Sequence, residues 1–185
     1  MPFNLPIFLT WLRIVAIPLL IAVYYVPDSW LYGHSRDLAA TVLFCAAAIT
    51  DWFDGYLARK LNQTSAFGAF LDPVADKLMV AAALIILVQL GRTDTIIATI
   101  IIGREITISA LREWMAQIGA HKSVAVSMIG KIKTTAQMLA IPMLLHYAPI
   151  AGFDIVNAGT WLIYIAAVLT LWSMGYYMRM AWPEI

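Results

Sequence analysis

Cysteine, histidine and charge are all scarce in this chain of 185 residues. The lone Cys45 cannot close an intrachain disulfide, and within the apolar stretch 42–49 it reads as a small buried hydrophobe without a catalytic role. The three histidines, His34, His121 and His146, are scattered without ligand spacing, which argues against structural zinc and makes each an interfacial or loop residue. Only 12% of residues are charged and the formal net charge is +1, so nothing global points to nucleic acid. The opening Met1-Pro2-Phe3-Asn4 lacks the basic start of a secretory signal, and no small-residue cleavage site is clear after the first apolar run, which is expected to be retained. No internal repeat, low-complexity tract or strand meander is apparent.

Apolar residues are what the chain has in abundance, 62% of the total with a mean hydropathy of +0.81. Six segments are long enough to cross about 30 Å of hydrocarbon. They fall near 7–26, 37–58, 69–90, 95–116, 124–148 and 157–180, between joints such as Gly91-Arg92-Thr93-Asp94 and Gly152-Phe153-Asp154. The expected fold is therefore all-α, an integral membrane protein of six helices forming one domain over 1–185, preceded by a short interfacial segment around Asn4 to Leu12. Arg59, Lys60, Arg112, Lys122, Lys131, Lys133 and Arg179 lie in or beside the joints on the side of the termini, against Arg36 and Arg92 opposite. The positive-inside rule then directs both termini and the joints after helices two and four to the cytoplasm. Trp30, Tyr32, Trp161, Trp172, Tyr176, Tyr177 and Trp182 near helix ends suit interfacial belts, with simple packing the alternative for several of them.

Against this background four aspartates stand out. A carboxylate in hydrocarbon persists when it pairs, faces water or binds a cation. Asp51 and Asp54 are spaced i, i+3 on the second helix, and Asp72 and Asp76 i, i+4 on the third, so each pair projects from one face. With one helix descending and the next climbing, the pairs reach similar depth. Converging carboxylates repel in a low-dielectric site, and a hard divalent cation that demands oxygen ligands relieves the repulsion, so Mg²⁺ or Mn²⁺ is the expected occupant. Gly55, Ala58 and Gly68 keep the neighbouring helix faces small; close helix packing explains each alone, and room for a base and diphosphate is the competing use. Arg59 can set its guanidinium fork on phosphate oxygens. Pro73 fits the first turn of helix three or a kink there.

The pattern Asp51-x-x-Asp54-Gly55-x-x-Ala58-Arg59, eight residues, then Gly68-x-x-x-Asp72-x-x-x-Asp76 fixes eight positions over 26 residues. It resembles the signature of the CDP-alcohol phosphotransferase family, and nothing in it departs from that signature. The resemblance implies six membrane helices, a homodimer, and a cytoplasm-facing site in the bacterial inner membrane. It implies metal held by Asp51, Asp54 and Asp72 with a second ion at Asp76, and it makes Asp76 the general base. Donor contacts would come from Asp51, Asp54, Gly55, Ala58, Arg59 and Gly68.

Gly103-Arg104-Glu105-Ile106, Leu111-Arg112-Glu113-Trp114 and Lys131-Ile132-Lys133-Thr134-Thr135, together with Asn4-Leu5-Pro6, Thr10 and Arg13, resemble the bacterial branch that uses sn-glycerol 3-phosphate. That implies transfer of the phosphatidyl group of CDP-diacylglycerol to glycerol 3-phosphate, giving phosphatidylglycerophosphate and CMP, the committed step of phosphatidylglycerol and cardiolipin synthesis. A phosphorylated acceptor independently needs extra cations, for which Arg104, Arg112, Lys131 and Lys133 are candidates. Lys131 and Lys133 serve equally well as positive-inside anchors, whereas Arg104 is too deep to snorkel and needs a partner such as Glu105. The alternatives are another alcohol, such as inositol phosphate, or a divalent-cation transporter, which the crowding of charge in the cytoplasmic half disfavours.

Overall fold

The computed structural model describes residues 5–60, 66–118, 128–150 and 152–181, with side chains placed over 8–51, 53, 68, 70–118, 132–150 and 152–179. Among the described residues the chain forms six α-helices: α1 (Leu5–Val23), α2 (His34–Lys60), α3 (Ala66–Gln89), α4 (Thr95–Gln117), α5 (Met128–His146) and α6 (Ile155–Ala181). Each coincides with one expected segment to within a few residues at either end. Among the described residues one helix, over Ile155–Arg179, is by length and composition apolar enough to cross a membrane, and α1 adds a shorter apolar stretch, Phe8–Val23.

The helix ends follow from local chemistry. Gly91 and Gly152 take positive φ of 67° and 83° in the joints before α4 and α6, where a Cβ would strain the turn. Asp94 then caps α4, its Oδ1 accepting from the Ile96 N–H at 2.7 Å, and Asp154 accepts from the Asn157 N–H at 3.0 Å at the start of α6. Several hydroxyls within the helices donate to their own backbone, as when Thr107 donates to the Gly103 carbonyl and Ser109 to that of Glu105.

Two expectations change. The interfacial segment anticipated around Asn4 to Leu12 is, from Leu5 onward, continuous with α1, with Pro6 at the start of the helix where its missing N–H costs nothing. Pro73 lies inside α3, because that helix begins earlier, at Ala66.

The chain divides into two compact units, residues 1–90 with 145–148, and 91–144 with 149–185. In the first, α1 packs against both α2 and α3. Its core sets large side chains such as Leu20, Phe44, Met79 and Leu87 against alanines at 40, 47, 75, 82 and 83, which let the backbones approach. His34 and His146 also meet in this unit, ring edge to ring face, with centroids 4.9 Å apart. In the second unit α4 packs against α6 around Ile101, Ile108, Met115, Ile163 and Ala166. Gly159 brings α6 so near α5 that a Cβ there would sit 2.9 Å from the Met143 Cβ.

Candidate active site

An acidic cluster forms where the first three helices converge. Arg13 of α1 is buried to 2% exposure, and its Nη1 lies 2.9 Å from Asp51 Oδ1 on α2 and 2.9 Å from Asp76 Oδ1 on α3. Those two carboxylate oxygens are therefore separated by no more than twice that distance, which is the convergence the spacing of the aspartates predicts. One turn earlier on α1, the buried Thr10 hydroxyl donates to Asp72 Oδ1 at 2.5 Å. Thr10 and Arg13, three residues apart, thus project from one face of α1 and hold carboxylates from two other helices. Gly68 is buried at the beginning of α3. Asp54, Gly55, Ala58 and Arg59 lie on α2, with side-chain positions outside those described.

The donor set fits a divalent cation. It is all oxygen, and Asp51, Asp72 and Asp76 carry three formal negative charges against the single one of Arg13, a surplus a hard cation suits. The side chains of Asp51 and Asp76 remain 36% and 39% exposed, so ligands can reach them. Among the described residues no three Asp, Glu, His or Cys side chains close a metal cage by themselves. The fourth expected ligand, Asp54, lies outside them.

The second unit carries a cationic cluster. Arg104 on α4 is 8% exposed, with Nη1 3.3 Å from Glu105 Oε1 and Nη2 donating to Ser173 Oγ of α6 at 3.2 Å. Lys133 of α5, 1% exposed, pairs with the same Glu105 Oε1. Glu105 therefore joins the cations of two helices, the positioning role its place beside Arg104 suggests. Arg112 is exposed at the surface of α4. Its guanidinium carbon is 5.7 Å from the centre of the Tyr177 ring, and that of Arg104 is the same distance away. Among the described residues, Arg104, Arg112 and Lys133 thus outnumber the one carboxylate that pairs two of them. Lys131 lies outside the described side chains.

Lys133 is enclosed and paired with Glu105, so its ammonium does not extend to the surface as that of an anchoring lysine does. Of the aromatics near helix ends, Tyr177 takes the packing alternative. Trp30, Tyr32, Trp161, Trp172 and Tyr176 are exposed as belts require, but Tyr177 is 1% exposed, because its ring faces the arginines of α4. Trp182 lies outside the described residues. The partners missed from sequence are Arg13 for the aspartates and Ser173 and Tyr177 for the arginines. Their signals were polar groups at helical spacing on apolar helices: Thr10 and Arg13 on α1, and Thr170, Ser173 and Tyr177 on α6.

Taken together, the helices and carboxylates define an α-helical protein with an oxygen-rich, solvent-reachable acidic site in its first unit and a cationic cluster in its second. Residues 3–172 match the CDP-alcohol phosphatidyltransferase family, and the chain belongs to it. It is 50% identical over 187 residues to the CDP-diacylglycerol–glycerol-3-phosphate 3-phosphatidyltransferase of Escherichia coli strain K12, covering 100% of this chain and 98% of that one. The like-named protein of Salmonella choleraesuis strain SC-B67 is 50% identical over 183 residues, 98% of this chain and 96% of its own. That of Shigella flexneri serotype 5b is 50% identical over 187 residues, again 100% and 98%.

Proposed function

We propose that this protein transfers the phosphatidyl group of CDP-diacylglycerol to sn-glycerol 3-phosphate, releasing CMP and phosphatidylglycerophosphate. Full-length identity to proteins named for that reaction supports the assignment. The structural observation that carries it is Arg13 Nη1 held equally near Asp51 and Asp76, which brings carboxylates of α2 and α3 to one point.

Asp51, Asp54, Asp72 and Asp76 would hold Mg²⁺ or Mn²⁺, as two ions. A divalent ion bound there supplies neutralisation of the donor's diphosphate charge as the transferred phosphorus is attacked. Gly55, Ala58 and Gly68 leave room for the nucleotide, and Arg59 contacts phosphate oxygens. Asp76 accepts the proton of the acceptor's 1-hydroxyl as that oxygen bonds to the phosphorus carrying diacylglycerol. The bond from that phosphorus to the bridging oxygen breaks, and CMP departs. Arg104, Arg112, Lys131 and Lys133 bind the acceptor's phosphate; their charge exceeds that of Glu105, a surplus that suits an anionic ligand.

The substrates explain the setting. Two acyl chains stay in lipid while cytidine and glycerol phosphate come from water, so the reacting groups belong near an interface. We infer six crossings of the bacterial inner membrane, with termini and site towards the cytoplasm, in one domain that functions as a homodimer. The helices run from 19 to 27 residues, long enough at 1.5 Å per residue to span about 30 Å. A family match that extends over both compact units supports the single domain.

The test offers purified protein CDP-diacylglycerol, Mg²⁺ and one alcohol at a time, reading CMP release. Preference for glycerol 3-phosphate supports the assignment. Preference for inositol phosphate rejects the acceptor, and metal flux in proteoliposomes without CMP formation rejects the enzyme.

A further inference from the structure

Arg104 and Arg112 stand eight residues apart on α4, about 12 Å along its axis, yet both guanidinium groups lie 5.7 Å from the centre of one tyrosine ring. That ring, Tyr177 of α6, is 1% exposed. One turn before it, Ser173 accepts from Arg104 Nη2, and the Ser173 hydroxyl is itself fixed by donating to the Thr170 carbonyl at 2.9 Å. The face of α6 bearing Ser173 and Tyr177 is thus built around the arginines of α4. The two arginines differ in how they are held. Arg104 is buried and bound through both terminal nitrogens, whereas Arg112 is exposed and reaches the same ring.

We propose that Tyr177 is a positioning residue that sets Arg104 and Arg112 for a shared phosphate, an inference that rests on the acceptor-phosphate role given to those arginines above. Two arginines ordered only when ligand arrives lose side-chain freedom at that moment, which weakens binding; ordering them beforehand removes the loss. Glu105 already holds Arg104 and offsets part of its charge; a second carboxylate on Arg112 would occupy the N–H groups and cancel the charge the phosphate needs. A ring face holds a guanidinium through its quadrupole and leaves the N–H donors in the guanidinium plane to the ligand. Tyr177 itself need not touch substrate.

The experiment measures steady-state kinetics of the full-length protein in nanodiscs with CDP-diacylglycerol, glycerol 3-phosphate and Mg²⁺. Tyr177→Leu, which removes the π face, raises the glycerol 3-phosphate KM about tenfold, while kcat and the KM for CDP-diacylglycerol change less than about threefold. Tyr177→Phe restores the acceptor KM to within about twofold of the parent. In an Arg112→Ala background, Tyr177→Leu adds less than about threefold, because part of what the ring orders is gone. Phenylalanines of increasing fluorination at position 177 keep the shape while draining the ring face, and the acceptor KM climbs with each fluorine. That series decides the matter even where the leucine variant does not fold. A flat fluorination series, or a Tyr177→Phe variant as impaired as Tyr177→Leu, overturns the inference. If Arg112→Ala leaves the acceptor KM unchanged, the acceptor site itself is misplaced and both readings fall. If Arg112→Ala raises it and the Tyr177 variants do not, only the positioning role is lost.

Discussion

Arg13 donates to Asp76 at 2.9 Å across 63 residues of sequence, tying the first helix to the carboxylate proposed as the base. The same nitrogen meets Asp51, so a single buried guanidinium stands between the two helices that bear the paired aspartates. Its charge offsets only part of theirs.

Replacing Arg13 by Gln leaves these carboxylates repelling one another. The expected cost is about 1–2 kcal/mol, below that of a wholly buried pair because both aspartates are more than a third exposed. Millimolar Mg²⁺ should then raise the melting temperature of Arg13→Gln more than that of the parent protein. An equal or smaller rise would remove the charge-surplus argument. Thermal unfolding in nanodiscs with and without Mg²⁺ makes the comparison.

Asp76→Asn keeps the shape but cannot accept the proton. A fall in kcat of roughly 10²–10⁴-fold is expected, with CDP-diacylglycerol still bound. Single-turnover CMP formation, together with equilibrium binding of the lipid donor, separates chemistry from binding, and near-parental turnover excludes Asp76 as the base.

Glu105→Gln strips the shared carboxylate from Arg104 and Lys133, which are both buried. Uncompensated interior cations are costly, so the variant should lose about 3 kcal/mol of stability. Glu113→Gln, at an exposed position, should lose less than about 0.5 kcal/mol. Parallel melting curves test the contrast, and equal losses would show that the Glu105 pairings do not hold the unit together.

Gly159→Ala places a methyl group 2.9 Å from the Met143 Cβ and 3.2 Å from Leu144 Cγ, and should cost about 1–3 kcal/mol. Gly103→Ala meets nothing within 4 Å, and should be neutral or stabilising by about 0.5–1 kcal/mol. The same melting measurement reads both.

Much of this architecture is legible from residues close together in the chain. Apolar runs broken by Gly91 to Asp94 and Gly152 to Asp154 mark helix ends, because glycine supplies the turn and aspartate the cap. The i, i+3 and i, i+4 aspartates announce a shared site because helical spacing fixes which side chains project together. What stays hidden depends on which face of an apolar helix turns inward. Tyr176 is 49% exposed and Tyr177 1%, yet both sit in the same aromatic stretch and suit a belt equally. Lys133 suits an anchor and a phosphate ligand equally until its burial against Glu105 is seen, and nothing local ties Arg13 to the two aspartates it lies between. Each depends on a contact distant in sequence, for which local pattern carries no information.

The most direct test of a metal-holding carboxylate site is a Mn²⁺ titration of the nanodisc-embedded protein with CDP-diacylglycerol present, followed by electron paramagnetic resonance. Saturable binding that disappears in Asp51→Asn and in Asp72→Asn, along with CMP release, is the expected result. Mn²⁺ binding and CMP release that survive both substitutions would contradict it.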